Sequence, residues 1–219
     1  MPFRDRIEAG RALARALVRY KADKPVVLAL PRGGVPVAAE VATALDAPLD
    51  LVLVRKIGVP YQPELAAGAV VDGQRPVVVR NDMIIRHTDV SEADFAAVRD
   101  RELAEIERRR KLYLGDRPHP RLEDRTVIIV DDGIATGATT RAALRAIRTR
   151  KPRKLVLAVP VAPTSSLSEL KDEADDIVCL EDHENFDAIV SFYCDFTQVD
   201  DVTVTELLAR HPADGRASS

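Results

Sequence analysis

The stretch that decides the fold is VIIVDDGIATGATT, residues 127–140. It opens with a continuous apolar run, and a strand that is apolar on both faces is typical of a parallel sheet covered by helices on both sides. Residues 139–150 then place apolar side chains at helical spacing. Asp131 and Asp132 therefore lie at a strand-to-helix turn on the carboxyl edge of the sheet, where open α/β sheets bind ligands.

The two halves of this turn suit different parts of one ligand. Residues 135–139 offer backbone N–H groups, two hydroxyl groups and a helix N-terminus, which together suit a phosphate. Asp131 and Asp132 cannot hold the phosphate itself, because carboxylates accept hydrogen bonds from hydroxyl groups or bind a hard cation. A ligand with a phosphate at one end and a diol nearby, such as ribose 5-phosphate, matches both halves.

This order of residues resembles the phosphoribosyl-pyrophosphate (PRPP) motif of the type I phosphoribosyltransferases, in a subgroup of predicted phosphoribosyltransferases, and it covers the motif without a gap. The resemblance implies that Asp131 and Asp132 are catalytic, hold the ribose hydroxyl groups and bind Mg²⁺ directly or through water. It also implies a PRPP-binding loop made of Ala135, Thr136, Gly137, Ala138 and Thr139.

Other interpretations of the stretch remain open. Receiver domains also end strands in Val-Asp-Asp, although near their start and without a Thr-Gly-x-Thr loop. An ordinary junction with acidic helix caps is a second possibility, and a different nucleotide site is a third. The chain contains no G-x-x-x-x-G-K-[ST] and no G-x-G-x-x-G, so a P-loop or a dinucleotide fingerprint has no support.

A second strand-to-helix turn follows the first predicted strand, Val26 to Leu30, and reads Pro-Arg-Gly-Gly. Its glycines let backbone N–H groups approach a ligand closely, and Arg32 adds a fork of donors suited to phosphate oxygens. Alone, this sequence also fits a plain tight turn. Its position resembles the pyrophosphate loop of the family, which makes Arg32 a candidate catalytic residue and Gly33 and Gly34 candidate PRPP-binding residues.

Basic residues follow the second predicted strand, Leu49 to Val54. Arg55 and Lys56 begin a stretch rich in Gly and Pro, which predicts a loop from Arg55 to Ala67 without an apolar face. In the family, this region supplies a cation for pyrophosphate and then a mobile flap. Lys56 is therefore predicted to be catalytic and Arg55 to bind PRPP, with Tyr61 as a further ligand contact; a surface loop with a solvated basic pair is the alternative.

The resemblance implies Mg²⁺-dependent transfer of the phosphoribosyl group from PRPP to a nitrogenous acceptor, most simply a nucleobase, with release of pyrophosphate. Phe186 lies in an aromatic segment predicted to stack on that acceptor. Packing of this C-terminal segment against its own core explains such aromatic residues equally well. Ala135 stands where enzymes for 6-oxopurines carry an aspartate, so the general base is unassigned. A non-catalytic PRPP or nucleotide regulator, or an accessory protein with a vestigial site, is the alternative function.

Composition narrows the class of protein. The chain has 219 residues, 46% apolar and 31% charged, which fits one α/β domain. The net charge of -3, with both signs mixed, argues against a nucleic-acid surface. No apolar run or signal-peptide core predicts a membrane segment. Two separated cysteines, Cys179 and Cys194, fit reduced thiols in the cytoplasm. A homodimer is the expectation from the family alone.

Strands alternate with helices, which predicts a doubly wound parallel sheet in a single domain of residues 1–212. The core is expected at about 24–180, and residues 213–219 are expected to be a disordered tail. The resemblance to the family implies that residues from about 1–20 and 181–212 form a hood over the active site. Ser91 to Leu112 predicts a long inserted helix that begins with a capping box, and residues 69–79 predict a hairpin. The first helix, Asp5 to Arg19, is expected to turn Ile7, Leu13, Leu17 and Val18 inward.

Overall fold

The computed structural model describes residues 1–72 and 76–212. These residues form strands β1 (Val26–Ala29), β2 (Leu49–Leu51), β3 (Val54–Val59), β4 (Gln62–Val71), β5 (Val77–Arg80), β6 (Thr126–Val130), β7 (Lys154–Pro163) and β8 (Asp176–His183). They also form helices α1 (Arg6–Leu17), α2 (Gly34–Leu45), α3 (Asp82–His87), α4 (Glu92–Tyr113), α5 (Ala138–Arg148), α6 (Thr164–Leu170) and α7 (Asp201–Ala209). Short 3₁₀ segments cover Val18–Asp23 and Ile189–Phe192.

The centre of the molecule is a five-stranded parallel sheet in the order β2-β1-β6-β7-β8. The chain reverses its direction across the sheet between β1 and β6, which are neighbours, and such a reversal is the topological switch point of a doubly wound fold. The predicted fold class is therefore confirmed. The switch point also brings together the carboxyl ends of the two strands that carry the predicted ligand-binding turns.

Helices cover both faces of this sheet, as the continuous apolar strand predicted. Ile128 and Val130 of β6 pack in one cluster with α1 and α2. Val127 and Ile129 point to the opposite face and pack with α5. All four side chains are fully buried, so β6 contributes to the core on both sides and its carboxyl end is held rigidly.

A second, three-stranded antiparallel sheet corrects the predicted loop from Arg55 to Ala67. Strands β3, β4 and β5 pair in sequence, and β3 and β4 form a hairpin with register shifts around Gly58. The predicted lack of an apolar face is also wrong, because Ile57 and Val59 are fully buried in the cluster that includes Phe95 of α4. The predicted strands at 69–71 and 77–79 are confirmed, whereas residues 73–75 of the predicted turn lie outside the described residues.

The predicted inward face of the first helix is correct at two of its four residues. Ile7 and Val18 are 42% and 59% exposed, so their predicted inward orientation is wrong. Leu13 and Leu17 are fully buried, as predicted, and Arg6 is buried on the same side of the helix. An arginine thus occupies a buried position at the start of α1.

The N-terminal and C-terminal segments meet above the carboxyl edge of the sheet. Phe3 forms a parallel bridge with Tyr193, which joins the segment before α1 to the segment after β8. The predicted long helix is confirmed as α4, and Ser91 caps it by accepting a hydrogen bond from the Asp94 N–H. In residues 1–72 and 76–212, no helix combines the length and the apolar character needed to span a membrane. The predicted tail at 213–219 lies outside the described residues, and the predicted domain limits stay a prediction.

Candidate functional site

The loop after β6 leads directly into α5. Gly137 has a φ of 71°, a conformation that favours glycine, and α5 begins at the next residue. The Ser166 hydroxyl donates a hydrogen bond to the Ala135 carbonyl oxygen at 2.7 Å, which holds the loop from the side of α6. Ala135, Thr136, Ala138 and Thr139 are exposed, so the predicted phosphate-binding residues are open to a ligand.

The two adjacent aspartates have different surroundings. Asp132 is buried, whereas Asp131 is half-buried and accepts a hydrogen bond from the Asp132 N–H at 2.9 Å. Burial raises the pKa of Asp131 well above its usual value, and the negative charge of Asp132 raises it further. A neighbouring cation or a hydroxyl donor would favour the ionised form of Asp131.

Arg6 supplies a cation to the other aspartate. Its Nε lies 2.7 Å from Asp132 Oδ2, with side-chain exposures of 10% and 11%. The same guanidinium donates to the Thr197 carbonyl oxygen at 2.8 Å and lies 3.8 Å from the ring centroid of Phe196. The Tyr193 hydroxyl donates to the Asp132 carbonyl oxygen at 2.6 Å, and burial raises the pKa of that hydroxyl.

The role of Arg6 and its contact with the predicted residue Asp132 were missed in the sequence. Arg6 and Asp132 are 126 positions apart, so no local motif joins them. One signal was present, because Arg6 precedes Leu13 by seven positions and therefore falls on the same helical face. An arginine on the apolar face of a helix indicates a buried partner.

The predicted pyrophosphate turn packs directly against the aspartates. A Cβ on Gly33 would collide with Asp132 Oδ2, and a Cβ on Gly34 would lie 2.9 Å from the Asp131 Cα. Only glycine allows the two turns to approach this closely. The peptide bond between Pro31 and Arg32 is cis.

Arg32 contacts Asp201, which is itself held by Tyr113. Its Nη1 lies 3.4 Å from Asp201 Oδ1, at the start of α7, and the Tyr113 hydroxyl donates to the same oxygen at 2.5 Å. Burial and this hydrogen bond to Asp201 raise the pKa of Tyr113 to about 12. The Arg32 side chain is 32% exposed, so a ligand can reach it beside Asp201.

Arg55 and Lys56 point to opposite sides of β3, because successive side chains of a strand alternate. Arg55 Nε lies 2.8 Å from Oε2 of Glu102, a buried residue of α4. Lys56 Nζ lies 3.1 Å from Oε2 of Glu64, and the Glu64 side chain is 99% exposed. Lys56 also lines a cavity of about 350 Å³ together with Ala138 and Thr139 of the predicted phosphate loop.

Phe186 belongs to an aromatic cluster beyond β8. Its ring stacks on Phe192 with centroids 5.0 Å apart, and the His183 and Phe192 ring centroids are 4.5 Å apart. Ile189 of the same segment is close to the main loop, because a Cβ on Gly133 would lie 2.8 Å from Ile189 Cγ2. The aromatic segment thus borders the loop, and an acceptor-binding role for Phe186 stays a prediction.

The structure brings the predicted residues together in two groups. One contains Asp131, Asp132, Gly33 and Gly34, and the other contains Lys56, Ala138 and Thr139. A larger cavity of about 470 Å³, beside the Asp50–His119 pair, is lined by none of the predicted site residues. Over the described parts of the chain, 1–72 and 76–212, no cluster of three or more His, Cys, Asp or Glu side chains could hold a metal ion.

Comparison with known proteins gives one consistent family. The sequence profile described as "Phosphoribosyl transferase domain" matches residues 4–197. Two curated Mycobacterium tuberculosis sequences, provisionally named phosphoribosyl transferases MT0597 and Rv0571c, are each 46% identical over 208 residues. The match covers 95% of this chain and 46% of either relative, so the chain spans about half their length.

A solved structure resembles nearly the whole chain. The crystal structure of TT1426 from Thermus thermophilus is 40% identical, with a TM-score of 0.85. The similarity covers 97% of this chain and 100% of TT1426. The agreement therefore includes the parallel core, the small antiparallel sheet and the terminal segments.

Proposed function

Because the chain belongs to the phosphoribosyl transferase domain family, we propose that it transfers the phosphoribosyl group of PRPP to a nitrogenous acceptor and releases pyrophosphate. The observation that carries this proposal is the aspartate pair at the switch point, flanked by two strand-to-helix turns whose helices start without side-chain caps. PRPP has a phosphate, a diol and a pyrophosphate, and these three features correspond to one turn, the aspartates and the other turn.

The missing caps support binding of anions at both turns. Helices α1, α4 and α7 are capped by the side chains of Asp5, Ser91 and Asp200. The N-cap residues of α2 and α5 are Gly33 and Gly137, which have no capping side chain; the short helix α6 also has no side-chain cap. The first N–H groups of a helix need an acceptor, and the helix dipole favours a negative one. The 5-phosphate fits the start of α5, and pyrophosphate fits the start of α2.

Mg²⁺ is part of the proposal, and the donors present fit it only in part. Mg²⁺ prefers oxygen ligands and is usually held by one or two carboxylates together with substrate phosphates and water. Asp131 offers such an oxygen, whereas Asp132 Oδ2 is engaged by Arg6. When bound, Mg²⁺ would help to neutralise the charge that develops on the departing pyrophosphate.

We assign the stabilisation of the leaving group to two side chains, Arg32 and Lys56. Arg32 lies at the start of α2 and is partly exposed, and Lys56 lies in the cavity beside Thr139. Positively charged groups that are fixed near a developing negative charge lower the free-energy barrier of a reaction. In this proposal Lys56 leaves Glu64, which costs little because exposed ion pairs contribute only about 0–1 kcal/mol.

The acceptor is proposed to bind between the loop and the aromatic segment. Ile189 borders Gly133, and Phe186 and Phe192 form the apolar surface nearby. A flat nitrogenous ring such as a nucleobase would pack well there. A homodimer remains the expectation from the family, and a cytoplasmic location remains the expectation from the two separated cysteines.

The proposed function is tested by incubating the protein with PRPP, Mg²⁺ and a panel of nucleobases and other nitrogenous acceptors, and measuring pyrophosphate release. We expect release that depends on one acceptor class and is strongly reduced in Lys56→Ala. Arg11→Ala, an exposed charge change on α1, serves as the matched control. PRPP binding without acceptor-dependent release would instead support a non-catalytic regulator, and absence of PRPP binding would contradict both functions.

A further inference from the structure

We propose that Arg6 is a positioning residue of the phosphoribosyl site: it holds the Asp132 carboxylate against the Pro31–Gly34 turn and leaves Asp131 to accept the ribose hydroxyl groups. This inference rests on the proposed function. It divides the aspartate pair into one carboxylate that contacts the substrate and one that shapes the site. It also makes the N-terminal helix part of the binding machinery.

One oxygen of the Asp132 carboxylate, Oδ2, is engaged by Arg6. Arg6 Nε donates to Oδ2 at 2.7 Å, and both side chains are about nine-tenths buried. The Tyr193 hydroxyl fixes the main chain of the same residue at its carbonyl oxygen. Gly33 packs against Oδ2 from the other side, so closely that a Cβ would be excluded. A ribose hydroxyl would have to displace Arg6 to reach this oxygen.

Arg6 is itself fixed from several directions. Asp5 caps the helix immediately before it by accepting a hydrogen bond from the Glu8 N–H at 2.7 Å. The guanidinium stacks over Phe196 and donates to the Thr197 carbonyl oxygen. Arg6 therefore ties the N-terminal and C-terminal parts of the hood to the loop. A charge that is buried in this way is costly to leave without a partner, so the ion pair is expected to persist when substrate binds.

Asp131 has the complementary properties. It is half-buried rather than buried, and its Oδ1 accepts a local hydrogen bond from the Asp132 N–H. It lies on the same loop as Thr136 and Thr139, which are both exposed. Asp131 forms no ion pair with a basic side chain of the described residues, so it is the carboxylate that we assign to the sugar hydroxyl groups.

The test compares two sugar phosphates, ribose 5-phosphate and 2,3-dideoxyribose 5-phosphate, the second of which lacks the diol. Binding is measured by ligand-observed NMR or calorimetry, at a temperature where circular dichroism shows each variant folded. We expect the wild-type protein to prefer ribose 5-phosphate by about tenfold or more, the effect of a hydrogen bond to a charged group. Asp131→Asn should abolish this preference.

The charge-neutral double variant Arg6→Met/Asp132→Asn is the matched comparison. This double variant should bind both sugar phosphates more weakly, by a similar factor, and should still prefer the sugar phosphate that has the diol. Arg6→Met alone releases Asp132 and should reduce the preference, and Arg6→Lys should restore most of it because it returns the cation. A purely structural role for Arg6 would change stability without changing the preference.

Three results would overturn the inference. The first is a preference that survives Asp131→Asn but is lost in the double variant, because Asp132 would then be the ribose ligand. The second is an Arg6→Met variant that prefers ribose 5-phosphate over the dideoxy sugar phosphate as strongly as the wild-type protein does. In both cases the proposed function would stand, since the wild-type protein still binds ribose 5-phosphate. The third is a wild-type protein that binds neither sugar phosphate, which would remove the proposed function together with this inference.

Discussion

Two ion pairs border the candidate site, and they differ most in their exposure to solvent. The Arg6 and Asp132 side chains are 10% and 11% exposed, whereas those of Lys56 and Glu64 are 41% and 99% exposed. A buried pair is expensive to break because one charge is left without water or a partner. An exposed pair contributes little and exchanges readily. Arg6 is therefore expected to shape the site, and Lys56 is expected to be free to bind a ligand.

The largest expected effect follows from breaking the buried pair. Arg6→Ala should lower the free energy of unfolding by about 3–5 kcal/mol, because it leaves the Asp132 carboxylate buried without its cation. Denaturant unfolding followed by circular dichroism measures this change. Arg11→Ala is the control on the same helix: Arg11 lies 3.0 Å from Glu40 with its side chain 60% exposed, so the change should be about 0–1 kcal/mol. Equal effects of the two substitutions would refute the difference between buried and exposed pairs.

A smaller effect separates two neighbours on β3. Arg55→Ala should lower the free energy of unfolding by about 1–3 kcal/mol, because Oε2 of the buried Glu102 loses its partner while Oε1 keeps Arg101. Lys56→Ala should leave the free energy of unfolding nearly unchanged and instead weaken PRPP binding by at least about tenfold, because Lys56 lines the cavity beside Thr139. Thermal unfolding and calorimetric titration give the two readouts. If Arg55→Ala lost PRPP binding at wild-type stability, the division between the two residues would be wrong.

The aspartate pair gives a prediction about pH. Burial raises the pKa of Asp131 above the ordinary 3.8, so the folded state binds this proton more tightly than the unfolded state. Stability from this group is therefore fully present at low pH and is lost as the pH rises through the folded pKa. Asp131→Asn should stabilise the protein at pH 8 by about 0.5–2 kcal/mol, the usual range for a stabilising substitution. The stabilisation by Asp131→Asn should disappear near pH 4, and denaturant unfolding at several pH values measures it. A stabilisation that stays constant between pH 4 and pH 8 would contradict the raised pKa of Asp131.

The smallest effect is expected at Arg32. Asp201 competes with any anion for this side chain at a distance of 3.4 Å, and the pair is partly exposed. Asp201→Asn should therefore strengthen PRPP binding by a few-fold, as expected for release of a weak surface ion pair. Asp200→Asn alters the neighbouring cap of α7 and serves as the control for helix stability. Weaker PRPP binding in Asp201→Asn alone would show that Asp201 orients Arg32 instead of competing for it.

The sequence predicted the parts of the site that are contiguous in the chain. Residues 127–140 carry the strand, the aspartates and the loop in one motif, and the fold class followed from their apolar pattern. The confirmed inserted helix likewise had a local signal at its start, the Ser91 cap. Such features depend on neighbours within a few residues, which is the range that propensity and periodicity describe.

The parts that the sequence did not reveal depend on distant partners. The buried contact of Arg6 with Asp132 joins residues 126 positions apart, which is far beyond the range of any local pattern. The hairpin of β3 and β4 was hidden because Gly58, Pro60 and Pro63 are typical of loops. Ile57 and Val59 alternate around Gly58 and are both fully buried, so a period-two signal was present but short.

The most direct measurement of the central claim is calorimetric titration of PRPP with Mg²⁺ into the wild-type protein and the variant Thr136→Val/Thr139→Val. Both hydroxyl groups are at exposed positions of the loop that leads into α5, and valine keeps the shape of threonine while removing its hydrogen bonds. Each lost bond to a charged phosphate is worth about 1.5–3 kcal/mol, so the double variant should bind PRPP at least about tenfold more weakly at unchanged melting temperature. An unchanged affinity would contradict the assignment of this loop as the PRPP site.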